Sequence, residues 1–363
     1  MATRLANQTY LTLDGVRGFG AILVVLAHTS MFWPGLSKHP FAPLVDLFFV
    51  MSGFVIAFAY EPRFDRGMTA RQFMLSRLVR LYPLFLLGTV MGTLVYIASY
   101  YGNDPNVSLS ELVVNLIPPL FLIPWNTPGS PDIYAANLPA WTLFFELVIN
   151  LLYILIYPVV RRMVGLLIVL ALSMGLFVWG ALSYETTDIG VRWVDFWGGF
   201  GRMSCGFFAG VLIYRLKGKP REAPTQRSFL AIPFVLAIVL YGIDMPEPWL
   251  FIRSILLVVA FGPVLAWLWT VYQPPRWIAS TMALGGSISY ALYILHYPIY
   301  EIVTRLVWMY PESFLVIPAA ASFVVLGISL IVSYIAWRWY DEPVRAQINK
   351  WLKSRRAKAR AIA

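Results

Sequence analysis

The chain has 363 residues, 59% of them hydrophobic and only 13% charged, and its mean hydropathy is strongly positive. No soluble domain of this length buries so much apolar surface in one core, so composition excludes a soluble globular protein and points to an integral membrane protein. The net charge of +10 raises nucleic acid as a partner, but in a polytopic protein excess Lys and Arg first serve orientation.

The first predicted span, 11–31, follows a terminus without a cleavable-signal pattern, because Ala27, His28 and Thr29 form no small-residue cleavage site; it is expected to be retained. Further stretches of the roughly 20 apolar residues needed to cross a bilayer fall at 41–60, 81–100, 139–160, 163–183, 193–214, 228–246, 250–272, 280–300 and 314–337. The apolar segment 113–125 is too short to span and carries Pro118 and Pro119, so an interfacial or re-entrant piece is expected there. The fold class is therefore all-α, a polytopic bundle of about ten transmembrane helices. A membrane domain occupies 1–340, and a basic amphipathic tail over 341–363 is expected to rest on anionic lipid. The single cysteine, Cys205, rules out an intramolecular disulfide and any cysteine-based metal cluster; no metal is expected.

Ten crossings put both termini on one side. That side carries 22 Lys and Arg, against Lys38, Arg192 and Arg305 on the other. The positive-inside rule makes both termini cytoplasmic, and topology absorbs most of the net charge, so no nucleic-acid partner is expected.

Depth follows from the helical rise of about 1.5 Å per residue. Arg17 and His28 are 11 residues apart, so they sit about 16 Å apart along one helix and within about 20° around it. Arg17 lies in the cytoplasmic half and His28 in the outer half. Snorkelling to lipid phosphate also accounts for Arg17, and a satisfied core position for His28. Asp46 and Glu146, on two inward-running spans, fall near the depth of His28. Isolated ionisable groups in lipid cost roughly 2.5–3.5 kcal/mol on insertion scales, so the three are expected to face one another or a polar cavity. A carboxylate beside an imidazole makes a general base; a proton relay in a transporter needs much the same trio. Arg77 and Arg80, three apart on one helix face, suit a phosphate or diphosphate. Arg202, near mid-depth, must face the interior, while His296, with Ser287, Tyr290 and Tyr297, marks the ninth span. Trp141 alone reads equally as an interfacial belt residue.

Six stretches, LDGVRGFGAILVVLAH, VDLFFVMSGFVI, SRLVRLYP, WTLFFELVINLLY, SISYALYILHYPI and WRWYDEPVR, in this order and at these spans, resemble the motif series of the acyltransferase-3 family of integral-membrane acyltransferases over essentially the whole chain. Phe19 and Gly20 stand where the family commonly has Ile-Ala, with no chemical consequence. The resemblance implies transfer of an acyl group, usually acetyl from cytoplasmic acetyl-CoA, to a hydroxyl of an extracytoplasmic glycan, in the bacterial inner membrane. The family's arginine, ten residues and histidine pattern falls on Arg17 and His28, its paired arginines on Arg77 and Arg80, its tryptophan and glutamate on Trp141 and Glu146. Some members carry an esterase-like extension; none is expected here, which implies direct transfer or help from a separate protein. The expected roles are then His28 as general base or transient acyl carrier, with Glu146 orienting it and Asp46 assisting. Arg17, Arg77 and Arg80 are expected to hold the acetyl-CoA phosphates, and Trp141, Arg202, Tyr290 and His296 to line the acceptor site. The competing readings are a proton-coupled transporter of a lipid or sugar, using His28, Glu146 and Asp46 as its relay, and a non-catalytic membrane scaffold; the acceptor and the oligomeric state stay open.

Overall fold

The computed structural model describes residues 10–32, 43–102, 108–126, 130–217, 246, 248–271, 274, 276–310, 312–313 and 319–362. Among these residues the structure is helical, without a strand. The helices are α1 (Leu11–His28), α2 (Leu44–Phe64), α3 (Ala70–Tyr101), α4 (Leu109–Leu120), α5 (Ala140–Leu155), the single turn α6 (Tyr157–Val160), α7 (Met163–Ser183) and α8 (Gly198–Lys217). There follow α9 (Trp249–Val271), α10 (Arg276–Met309), α11 (Ala320–Ile335) and α12 (Glu342–Ile362). A π-turn over Leu257–Phe261 interrupts α9, and another over Ala336–Asp341 joins α11 to α12.

Seven helices among the described residues are long and apolar enough to cross a membrane, against the ten predicted. The predicted span 139–160 is a 16-residue helix, α5, because the chain breaks at Ile156 ahead of Pro158. The span predicted at 193–214 is α8, which starts later and carries Arg202 and Arg215 in its length. That at 228–246 lies outside the described residues apart from Pro246. The segment at 113–125 gives the 12-residue α4, closed by its two prolines. In contrast, α3 is far longer than the predicted 81–100. Thr69 caps it, its hydroxyl accepting from the Gln72 N–H at 3.3 Å while the Gln72 side chain accepts from the Thr69 N–H at 3.1 Å; this reciprocal pairing satisfies two otherwise orphaned donors. The helix therefore begins eleven residues before Leu81.

The chain divides into two compact units. The first comprises residues 1–27, 35–66 and 156–290, the second 28–34, 67–155 and 291–363.

In the first unit α2 and α7 both pack on α8, and the second half of α9 covers α2 and α8. Helices in lipid gain little from the hydrophobic effect against each other, so close backbone approach through small residues carries the packing. A Cβ on Gly53 would stand 1.9 Å from the Phe207 carbonyl oxygen, and one on Gly210 would stand 2.0 Å from that of Val50. Cys205 is buried among Phe177, Ala181, Ile189 and Val258. The outer face of α7 exposes Leu167, Ile168, Leu172 and Trp179, an apolar stripe of the kind a lipid-facing helix presents.

In the second unit α3 is the central member and packs against α4, α5 and α12. Gly92 lets the Ala136 carbonyl approach, since a Cβ there would stand 2.0 Å from it. Pro83 sits inside α3, and its carbonyl accepts from the Tyr340 hydroxyl at 3.3 Å.

Candidate active site

In the second unit, His28 closes α1 and is pinned through the residues that follow it. The Thr29 carbonyl accepts from Ser322 Oγ at 3.3 Å, and the Phe32 carbonyl accepts from the Ala319 N–H at 3.0 Å. Across from it, on α10, the fully buried His296 brings Nε2 to 3.2 Å from His28 Nδ1, and its own Nδ1 lies 3.0 Å from the Leu292 carbonyl. The edge of Tyr297 meets the His28 ring at 5.7 Å between centroids, and Tyr300 follows one turn on, 5.6 Å from Tyr297. Beyond them Arg305 donates to Glu301 at 2.5 Å and to Ser99 Oγ at 2.8 Å. The result is a polar and aromatic stripe along α10 that begins at the histidine pair.

α5 is fixed to the same stretch of α10. The Asn137 amide donates to the Ile294 carbonyl at 3.0 Å, and the Thr142 hydroxyl to the Tyr293 hydroxyl at 3.2 Å. One turn further along α5, Glu146 accepts from the Arg77 guanidinium of α3. Arg77 Nε is buried without a hydrogen-bond partner, and so are both amide atoms of Asn150, which lies one more turn along the Glu146 face. Trp141 is 5% exposed and meets Phe145 edge-on at 5.9 Å, so its indole is inside the unit rather than in an interfacial belt. Arg80 is half-buried and within electrostatic range of Asp341, which Arg345 grips at 2.8 Å.

In the first unit, Arg17 is held by three partners of the protein. Its guanidinium donates to Asp14 at 2.8 Å, to the Gly286 carbonyl at 3.0 Å and to Ser289 Oγ at 3.0 Å. The Gly18 and Gly285 backbones permit this approach of α1 to α10, since a Cβ on Gly18 would stand 2.7 Å from Gly285. Arg202, 1% exposed, holds both oxygens of Asp46 at 2.9 and 3.1 Å and Asp188 at 2.8 Å. Tyr290 is half-buried on α10 in this unit.

Six of the residues singled out in the sequence thus form three pairs: His28 with His296, Arg77 with Glu146, and Asp46 with Arg202. Within the second unit His28 meets His296 and Glu146 accepts from Arg77, while Asp46 belongs to the first unit. Arg77 is seven residues inside α3, because the Thr69 cap sets the helix start well before the apolar run. Asp188, Ser289 and Asn150 escaped the sequence reading. Asn150 alone had a signal, a polar side chain one helical turn from Glu146 within an apolar run.

Chemically, the second unit offers an imidazole pair in an apolar surrounding with a guanidinium–carboxylate pair on a helix braced to it. That is an arrangement for moving a proton beside a developing negative charge. The family described as the acyltransferase domain matches residues 10–338, and a chain so matched over most of its length, with several apolar membrane-length helices, is a multi-pass membrane acyltransferase. It belongs to the acyltransferase-3 family. Over 94% of its length the chain is 23% identical to the peptidoglycan O-acetyltransferase OatA of Listeria monocytogenes, of which it covers 57%. It is 33% identical to protein 2 in the picA locus of Rhizobium radiobacter, over 40% of this chain and 81% of that protein. With the exopolysaccharide production protein ExoZ of Rhizobium meliloti it shares 32% identity over 28% of this chain and 30% of ExoZ. No solved structure matches.

Proposed function

We propose that the protein transfers an acetyl group from cytoplasmic acetyl-CoA to a hydroxyl of an extracytoplasmic glycan, in the bacterial inner membrane, with about ten crossings and both termini cytoplasmic. The observation that carries this reading is the contact of His28 with the buried His296 in a chain of an acyltransferase family. The charge distribution of the sequence supports the orientation, and two relatives whose names refer to peptidoglycan and exopolysaccharide support a glycan acceptor.

His28 is the general base in this proposal. It takes the proton of the acceptor hydroxyl as the oxygen attacks the thioester carbonyl, and returns it to the sulfur that leaves. Arg77 is the cation of this site: Glu146 orients its guanidinium, and its unpaired Nε is the donor left for an oxygen of the acyl donor. Arg80, three residues further along the same helix, takes a phosphate of the donor. Tyr297 and Tyr300 offer aromatic faces to a sugar ring on the outward side of His28, with Glu301 and Arg305 beyond them to pair with hydroxyls. Trp141 packs against Phe145 inside the same unit. Asp46 and Arg202 are reassigned: each satisfies the other, so we take them as the internal tie of the first unit rather than as assisting base and acceptor contact. Arg17, with three partners on its own unit, retains one third of its side-chain surface for a donor phosphate.

Mass spectrometry of surface and exported glycans from cells with and without the gene tests the reading. An acetyl-sized loss on one glycan in the deletion is the expected result, and identical glycan masses would overturn it.

A further inference from the structure

We infer that His296 is a positioning residue that fixes His28 in its Nδ1–H form, so that Nε2 of His28 is the nitrogen that takes the acceptor proton; this rests on the reading of His28 as the base. A carbonyl oxygen can only accept a hydrogen bond. The Leu292 carbonyl, 3.0 Å from Nδ1 of His296, therefore places the one proton of a neutral His296 imidazole on that nitrogen. Its Nε2 then bears the lone pair. The contact from His296 Nε2 to His28 Nδ1, at 3.2 Å, closes as a hydrogen bond only if His28 donates from Nδ1. The lone pair of His28 is thereby assigned to Nε2.

The carbonyl is one turn back on the same helix as His296, and His296 is fully buried, so this direction is built into α10 and not set by solvent. In the familiar catalytic triad a carboxylate performs this orienting task for the histidine base. Here a neutral imidazole does so, itself oriented by a backbone carbonyl. When Nε2 of His28 accepts the acceptor's proton, the resulting imidazolium keeps its Nδ1–H on the His296 lone pair. The acceptor oxygen bonds to the acyl carbon, the carbon–sulfur bond breaks, and the Nε2 proton passes to the thiolate, leaving ester and free thiol with His28 neutral again.

The chain has only three histidines, His28, His39 and His296, so nitrogen-15 NMR of histidine-labelled protein, assigned with single-histidine substitutions, reads each tautomer directly. Protons on Nδ1 of both His28 and His296 are the expected result; a proton on Nε2 of His28 would overturn the inference, whether or not the protein transfers acyl groups. Kinetics provide the second arm. His296→Leu is expected to move His28 toward the Nε2–H form and to lower kcat about 10- to 100-fold with both KM values held. His296→Gln, whose amide oxygen reaches the place of the ring Nε2, is expected to recover the tautomer and most of kcat. A folded His296→Leu protein with unchanged kcat, or a Gln variant no better than Leu, would contradict the positioning role. A spectrum as expected from a protein without acyl transfer would instead count against the proposed function alone.

Discussion

Glu146 of α5 accepts a hydrogen bond from Arg77 of α3, 69 residues earlier in the chain, with 24% and 12% of their side-chain surfaces exposed. A pair this enclosed binds two helices as well as two charges, and removal of one partner leaves the other in an apolar surrounding. Arg77→Ala and Glu146→Ala are each expected to lower acyl transfer at least about tenfold, the loss that accompanies about 1.4 kcal/mol of transition-state stabilisation. The charge-reversed protein, Arg77→Glu with Glu146→Arg, is expected to recover thermal stability in detergent but not activity. Recovery of both would show that the pair only ties the helices.

Asp46 and Arg202 give the opposite expectation. Both are buried, with two hydrogen bonds between them. Asp46→Ala removes two hydrogen bonds from a buried guanidinium that keeps Asp188 and the Ile189 carbonyl, and the cost is expected to be about 3 kcal/mol of stability. Measured by thermal unfolding, this variant melts well below the wild type, while the folded fraction keeps its turnover. A stable Asp46→Ala protein with lost turnover would restore Asp46 to the chemistry.

The interface of α2 with α8 depends on absent side chains. Gly53→Ala is expected to destabilise by more than about 2 kcal/mol, because its Cβ would meet the Phe207 carbonyl at 1.9 Å. Gly175→Ala serves as the control, since no atom lies within 4 Å of a Cβ at that position of α7. It is expected to be neutral or to stabilise slightly, by up to about 1 kcal/mol. Chemical denaturation in mixed micelles separates the two.

Arg80 is proposed to hold a phosphate of the donor. Arg80→Ala is expected to weaken CoA binding in calorimetry about tenfold, the effect of losing one charge-assisted hydrogen bond, with kcat at saturating donor nearly unchanged. Equal affinity in wild type and variant would remove Arg80 from the donor site.

Hydropathy made the helical class and most of the helices legible, because lipid demands long apolar runs whatever their partners. It also exposed the costly residues, His28, Arg17, Asp46, Arg77, Glu146, Arg202 and His296, as polar breaks in those runs. Their pairing was hidden. His28 and His296 are 268 residues apart and Asp46 and Arg202 are 156 apart, and depth alone groups residues by layer, not by neighbour. The early start of α3 has a local cause. The Thr69–Gln72 cap starts α3 in polar sequence, where an apolar window cannot see it. The end of α5 was overrun for the converse reason, since the apolar run continues past the break at Ile156.

Acyl transfer by this protein is proposed to run through His28. The direct measurement uses purified protein in lipid nanodiscs, acetyl-CoA labelled in its acetyl group and an oligosaccharide acceptor, with wild type and His28→Ala compared at equal folded amounts. Label on the acceptor is expected with wild type and at least a hundredfold less, about the general-base contribution, with His28→Ala. A wild-type protein that leaves the acceptor unlabelled, or a His28→Ala protein that labels it as fast, would contradict it.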